Sequence, residues 1–281
     1  MAATSWRLWG RLASTGPASL IAPVHFRAAP GINVLWVDSL NGDDAKSGHN
    51  KEEPKKTIES AVGASENGTM IVLLPGFDQA VPSVISLGTP VGFSIVGQGI
   101  GAQQAILRTA DADGLISSGG GLTLENIRFP ESEIALTSPK ITVESGGNLR
   151  MLDCLVECGT NDVRAAVYNN LSTLRTSGCT FRVTSGHPLQ AIKHAGGITE
   201  IDTCLIDGGV FGWRDNAGGH QVAVEAAVSG FLDMHASKLR GHSDVFVHVD
   251  TTLVVADIRF DVASDLGDDC SVLFEVAGEF G

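Results

Sequence analysis

The chain has 281 residues, of which 43% are hydrophobic and only 18% are charged, so it can build one substantial core. Its net charge of −13 argues against nucleic-acid binding, because the phosphates would be repelled. No run approaches the roughly 18 consecutive apolar residues of a membrane-spanning helix. Neither nucleic acid nor a membrane is therefore expected as a partner.

Residues 1–30 differ in composition from the rest of the chain. They contain three arginines and no acid, and the first acid is Asp38, so the remainder carries a net charge of −16. A mitochondrial transit peptide shares this composition, and a disordered tail is a second alternative. We favour an extended basic arm that becomes ordered on a partner surface. The residues expected to bind that partner are Trp6, Arg7, Trp9, Arg11 and Arg27.

Residues 31–68 are interpreted as a capping segment. The stretch NVLWVDS predicts a first strand, and Pro54 suits the start of a helix. Ile58 and Val62 lie four residues apart, on one face of that helix. A short helix near Thr57 to Gly63 is therefore expected to plug one open end of the core.

The loop NGDDAKSGHN (Asn41 to Asn50) raises calcium binding as an alternative, because its acids lie close together. It lacks the alternating Asp-x-Asp-x-Asp spacing and the bidentate Glu of an EF-hand loop. An ordinary solvated turn is the favoured interpretation. The eight histidines show no metal-ligand spacing either, so we expect no metal and no cofactor.

An eight-residue pattern recurs along most of the chain: apolar, any, apolar, any, small or polar, small or apolar, any, apolar. Successive copies start 29, 27, 25, 25, 33 and 21 residues apart, at Phe93, Leu122, Leu149, Leu174, Thr199, Leu232 and Leu253. The alternation with β-branched residues, bounded by Gly, Asn, Asp and Ser, predicts strands and turns. Repeats of about 25 residues built this way predict a right-handed parallel β-helix of seven or eight coils over residues 31–281.

Stacked coils place equivalent side chains in columns. One column is predicted to face the interior: Ile127, Cys154, Cys179, Cys204, Ser237 and Ile258. The residues just before it are predicted to lie at a turn: Asn126, Asp153, Gly178, Thr203, Ala236 and Asp257. The three cysteines are interpreted as buried structural residues, and a disulfide or a metal site are the alternatives. This cysteine usage indicates a reducing compartment.

The longest repeat, of 33 residues, contains the loop FGWRDNAGGHQ (Phe211 to Gln221). Four of its side chains are candidates for a functional contact: Trp213, Arg214, Asp215 and His220. They could form a sugar-binding platform with an acid and a base, or they could form a contact between subunits. Glycoside hydrolysis needs a second carboxylate at a fixed distance, and the sequence presents no obvious pair. The strand faces are also predicted to lack a cluster of acids beside an Arg or Lys. No catalytic residue is therefore assigned.

The chain ends in CSVLFEVAGEFG (Cys270 to Gly281), a strand-like apolar run with no helix after it in this sequence. Its apolar side chains need to be covered: Val272, Phe274, Val276 and Phe280. Three copies about a threefold axis can cover one another, and closed assembly avoids open-ended stacking. We therefore expect a homotrimer, and the rival is a monomer capped by its own last strand.

The capping segment and the coils together resemble the pectate-lyase-like superfamily of right-handed parallel β-helices, over residues 31 to about 281. In that superfamily a first strand leads through a Gly/Asn/Asp-rich loop to a short capping helix and to a strand that ends in Pro-Gly. The resemblance implies an all-β fold with one capping helix. The superfamily includes polysaccharide lyases and hydrolases, bacterial surface proteins, and phage spike, fibre and capsid-decorating proteins, so the fold alone does not choose a function.

From these features we expect a phage virion structural protein rather than an enzyme. It would be made in the host cytoplasm and would decorate the capsid as a head spike or fibre, docked on the major capsid protein through residues 1–30. The alternative is a tail spike or fibre that binds or depolymerises a host surface glycan. A bacterial surface or secreted protein is the third interpretation.

Overall fold

The computed structural model describes most of the chain that follows the basic arm. The described residues are 32–87, 92–186, 188, 190–210, 213, 222–226, 230–235, 237–240, 243–250, 257–260, 265–266 and 270–277. Within them no helix is long and apolar enough to cross a membrane. The arm of residues 1–30, with its five predicted partner-binding residues, lies outside the described residues, so its role stays a prediction.

The strands form three parallel sheets. After its first strand, the chain passes through one strand of sheet 1, one of sheet 2 and one of sheet 3, and then repeats this order. Sheet 1 contains β1 (Val34–Val37), β2 (Met70–Leu73), β5 (Phe93–Gly97), β8 (Gly121–Glu125), β11 (Asn148–Leu152), β14 (Ser172–Ser177), β17 (Gly197–Asp202), β20 (Gly230–His235) and β23 (Asp257–Phe260). Sheet 2 contains β3 (Asp78–Val81), β6 (Ala105–Thr109), β9 (Ile127–Phe129), β12 (Leu155–Cys158), β15 (Thr180–Val183), β18 (Leu205–Asp207), β21 (Lys238–Arg240) and β24 (Asp265–Leu266). Sheet 3 contains β4 (Ile85–Leu87), β7 (Ile116–Ser118), β10 (Ile141–Val143), β13 (Val167–Asn169), β16 (Ile192–His194), β19 (Val222–Ala226), β22 (Ser243–Asp250) and β25 (Cys270–Ala277).

This topology is a parallel β-helix of eight strand triplets, from β2–β3–β4 to β23–β24–β25, with β1 added at the first edge of sheet 1. The predicted fold class is confirmed. Sheet 1 also confirms the first five repeat spacings, because the starts of the repeats lie opposite one another in register: Phe93, Leu122, Leu149, Leu174, Thr199 and Leu232.

The predicted register of the last coil is wrong. Ile258 pairs with Leu232 in sheet 1, so it does not follow Ser237 in the column of cysteines. Asp257 accordingly lies in β23, opposite Phe231, and not at the turn. The stretch LVVADIRF contains two alternating apolar patterns, one that begins at Leu253 and one that begins at Ile258. The sequence pattern therefore allows either residue to pair with Leu232.

The rest of the interior column is confirmed. Ile127, Cys154, Cys179, Cys204 and Ser237 are all buried, and the three cysteines are free thiols. The neighbouring Cys179 thiol, followed by burial, raises the pKa of Cys204 well above its ordinary value, which keeps the Cys204 thiol protonated and unreactive. The cysteines are thus core residues rather than members of a disulfide.

The turn before this column adopts left-handed backbone conformations in four successive coils. The φ angles are +53° at Asn126, +50° at Asp153, +65° at Gly178 and +52° at Thr203. Asn, Asp and Gly tolerate this region, whereas a β-branched Thr is strained there. The side-chain Nδ2 of Asn126 also donates to the carbonyl oxygens of Gly97 and Gly99, at 2.9 and 2.8 Å, and so joins this turn to the preceding coil.

The capping helix is confirmed as α1 (Ile58–Gly63). Thr57 caps its N-terminus, because its hydroxyl accepts a hydrogen bond from the Ser60 amide at 3.2 Å. Ile58 and Ala61 are fully buried in the main hydrophobic core. The helix therefore closes the core at the β1 end.

The loop considered for calcium is filled by a lysine. The Lys55 ammonium donates to the carbonyl oxygens of Asp44 and Lys46, at 3.3 and 2.9 Å. The Asp44 carboxylate accepts hydrogen bonds from the amides of Lys56 and Thr57, and so anchors the start of α1. These contacts support the interpretation of a structural turn.

Candidate functional site

The outer face of sheet 1 carries columns of polar side chains. In β14, Leu174 and Thr176 are buried, so Thr173, Arg175 and Ser177 project to the outside. Register across the coils extends this face into a central column of Arg150, Arg175, Glu200 and Asp233. A flanking column contains Leu152, Ser177 and Asp202.

These columns line a groove of about 380 Å³ that spans three successive coils. Within it the Arg175 guanidinium makes a bidentate contact with Glu200, with Nε 2.6 Å from Oε2 and Nη2 3.3 Å from Oε1. The Ser177 hydroxyl donates to the Asp202 carboxylate at 3.3 Å. The residues that line the groove are Arg150, Leu152, Arg175, Thr176, Ser177, Glu200 and Asp202.

Arg150 is the exposed cation at the β11 end of the groove. Within the described part of the chain it has no carboxylate within 4.0 Å, in contrast to Arg175. Its charge still acts on Glu125, which lies opposite Leu152 in the flanking column. Burial, followed by the charge of Asp153, raises the pKa of Glu125, and Arg150 opposes this rise. The Glu125 carboxyl therefore takes up a proton more readily than an ordinary glutamate does.

The sequence interpretation missed this arrangement. It considered only a cluster of acids beside an Arg or Lys, and it did not foresee that Arg150, Arg175, Glu200 and Asp202 would lie on one face. The signal was present in the repeat, since LRM, LRT and TEI stand at equivalent positions of three consecutive coils. Outward side chains become neighbours only when the coils are aligned column by column. Among the described residues, no group of three His, Cys, Asp or Glu side chains is arranged to hold a metal ion.

The contact role predicted for the loop of residues 211–221 does not hold for its tryptophan, Trp213. Trp213 is fully buried and belongs to the main hydrophobic core, so its side chain is neither an exposed sugar platform nor a lateral contact. The physical reason is its apolar ring, which gains more free energy from burial in the core than from a position at the surface. Arg214, Asp215 and His220 lie outside the described residues.

Comparison with known proteins agrees with this architecture. Among solved structures, a rhamnogalacturonan lyase superposes with a TM-score of 0.53 at 9% identity, covering 88% of this chain and 62% of the lyase. The protein has a parallel β-helix fold. At such an identity the likeness concerns the fold alone, and the chain spans less than two thirds of the lyase.

Two further solved β-helix proteins have lower TM-scores. Pectate lyase Pel9A has a TM-score of 0.32 at 10% identity, covering 83% of this chain and 80% of that protein. The GH136 lacto-N-biosidase from Eubacterium ramulus has a TM-score of 0.29 at 8% identity, covering 86% and 68%. No protein-family model and no curated protein sequence matches the chain.

Proposed function

We propose that the protein is a phage virion component whose β-helix binds an extended acidic polysaccharide along the outer face of sheet 1. The observation that carries this proposal is the groove, in which charged and hydroxyl side chains repeat from coil to coil. Adjacent strands lie about 4.8 Å apart, so a polymer along the helix axis meets equivalent side chains at regular intervals. Guanidinium and carboxylate groups in such rows suit the hydroxyls of successive sugar rings.

Arg150 supports the preference for an acidic polymer. Its guanidinium is exposed and is not neutralised by a contacting carboxylate in the described residues, so it offers bidentate hydrogen bonds to a sugar carboxylate. The next coil presents Arg175 already paired with Glu200, which favours neutral hydroxyl groups there. The groove thus carries a site for an anionic group at Arg150 and, on the next coil, a site for neutral hydroxyl groups at the Arg175–Glu200 pair.

Binding can be measured with the purified full chain on an array of acidic and neutral oligosaccharides, followed by calorimetry on the strongest ligand. Arg150→Gln is expected to weaken binding about tenfold or more, equivalent to about 1.4 kcal/mol. The matched control is Arg108→Gln, an exposed arginine on sheet 2 that pairs with Asp78. The groove is excluded as the binding site if the two variants bind equally well. Release of shorter oligosaccharides during the assay would show cleavage in addition to binding.

The virion part of the proposal rests on the basic arm. Residues 1–30 are acid-free and contain three arginines, whereas the remainder is strongly acidic, which suits docking of the arm on a separate surface such as the major capsid protein. Deleting residues 2–28 is expected to leave a folded, soluble β-helix that no longer joins particles. Normal incorporation of the truncated protein would refute docking through the arm.

A further inference from the structure

A second concave surface lies where successive coils turn into sheet 3. It is a pocket of about 270 Å³, separate from the groove on sheet 1. Three consecutive coils build it: residues 137–139 before β10, residues 164–165 before β13 and Gln190 before β16. Tyr168 and Lys193 complete it and lie directly opposite each other in the pairing of β13 with β16. The pocket therefore depends on the stacking of three coils and not on one mobile loop.

The charge of this pocket is opposite to that of the molecule. Its lining contains the cations Arg164 and Lys193 and no carboxylate, in a chain with a net charge of −13. Asp113 contacts the lining, because its carboxylate accepts a hydrogen bond from the Thr137 hydroxyl at 2.9 Å. Glu225 pairs with Lys193 in the register of the following strand, and we assign anion binding chiefly to Arg164.

Arg164 is held in place by the backbone. Its Nε donates to the Thr137 carbonyl oxygen at 3.1 Å, which fixes the plane of the guanidinium. In the described part of the chain its terminal nitrogens have no carboxylate within 4.0 Å, since the ion pairs found there involve other cations. A guanidinium fixed at Nε presents its outer edge for a bidentate contact with a carboxylate.

The other walls suit a ring with one apolar face. Tyr168 is the single tyrosine of the sequence and is half-buried, with Pro139 and Ala165 also lining the pocket. An aromatic ring and small apolar side chains pack against the C–H face of a sugar, while Thr137 and Ser138 supply hydroxyl groups. The pocket volume of about 270 Å³ is slightly below the range of ligand pockets, which begins at about 300 Å³, so one ring fits and an oligomer does not.

We propose that this pocket binds a single carboxylate-bearing sugar ring, such as a terminal uronic acid residue. Arg164 binds the carboxylate, Tyr168 packs against the ring, and Lys193 adds positive charge. The site lies on a different face from the groove, and its existence does not depend on polysaccharide binding along sheet 1.

Saturation-transfer NMR and calorimetry on the full chain test this site with glucuronate, glucose and inorganic phosphate as separate probes. Glucuronate is expected to bind, and Arg164→Gln is expected to weaken it at least tenfold. The control Arg108→Gln, on sheet 2 and outside both the pocket and the groove, should bind glucuronate as the wild type does. Tyr168→Leu should weaken the ring-proton transfer signals, which gives a second readout if the Arg164 variant folds poorly.

Three results would overturn the proposal. Equal binding of glucose and glucuronate would remove the role of the carboxylate, and equal binding of phosphate would show a general anion site with no sugar selectivity. If Arg150→Gln lost glucuronate binding while Arg164→Gln kept it, the ligand would be assigned to the groove instead. Failure of oligosaccharides to bind sheet 1 leaves these outcomes unaffected.

Discussion

Lys140 and Asp162 form an ion pair in which Nζ lies 3.0 Å from Oδ1, and both side chains are fully buried. The ammonium also donates to the carbonyl oxygens of Pro130 and Glu157, at 2.8 and 2.7 Å. The carboxylate accepts hydrogen bonds from the Ser132 hydroxyl at 2.6 Å and from the Gly159 amide at 2.8 Å. This network joins the loops before β10 and β13, so it ties together the coils that frame the pocket at sheet 3.

Removing one partner of this pair should be costly. Lys140→Met leaves a buried carboxylate without its cation, and we expect the free energy of unfolding to fall by about 3–5 kcal/mol in urea titrations. The double variant Lys140→Met/Asp162→Leu should recover part of that loss, because no unpaired charge remains. Arg175→Gln breaks an exposed ion pair and should cost less than about 1 kcal/mol. A Lys140→Met protein as stable as the Arg175 variant would contradict the assigned burial.

The strained turn at Thr203 predicts a stabilising substitution. Its φ of +52° is unfavourable for a β-branched residue, whereas Asn126 occupies the same column at +53°. Thr203→Asn should therefore raise the free energy of unfolding by about 1 kcal/mol. Gly178→Ala should act in the opposite direction, because an added Cβ would lie 2.2 Å from the Asp153 carboxylate oxygen. An unchanged or lower stability of Thr203→Asn would show that the strain is absent.

His194 predicts a loss of stability in mild acid. Its ring is buried, with Nδ1 2.9 Å from the Thr199 hydroxyl, and burial lowers its pKa to about 4. The unfolded chain takes up the proton first as the pH falls, since its histidine has a pKa of about 6.5. The free energy of unfolding should therefore decrease by up to about 3 kcal/mol between about pH 6.5 and pH 4.

Urea titrations at several pH values check this dependence against two variants. His194→Gln should lose this part of the pH dependence, because the titrating ring is absent. The variant of an exposed histidine, His49→Gln, should keep the wild-type profile. Identical profiles for His194→Gln and the wild type would assign the acid sensitivity to other groups.

Much of the fold could be predicted from sequence because its determinants repeat. The 25-residue spacing of Cys154, Cys179 and Cys204 indicated one column, and the structure places them there. The register of Ile258 could not be predicted, since two alternating patterns overlap in LVVADIRF. The groove was missed for another reason: Arg150 and Glu200 are 50 residues apart in sequence and meet on one face only through the register of two strand pairs.

The homotrimer expected from the sequence stays a prediction, which the mass of the protein in solution can test. Among the described residues, β23, β24 and β25 each lie at the end of their sheet and have a partner strand on one side. Such edges invite association unless they are covered. Light scattering on the purified chain of 29.3 kDa should give one species near three times that mass. A single species at the monomer mass would instead favour a chain that covers its own exit.

The proposed polysaccharide groove is tested most directly by a crystal structure of the full chain with an acidic oligosaccharide selected on the array. We predict continuous density along the outer face of sheet 1, with a sugar carboxylate at Arg150 and hydroxyl groups near Ser177 and Glu200. Several ordered sugar rings should follow the helix axis across consecutive coils. An oligosaccharide ordered on sheet 2 or on sheet 3, with the groove between Arg150 and Asp202 empty, would contradict the assignment.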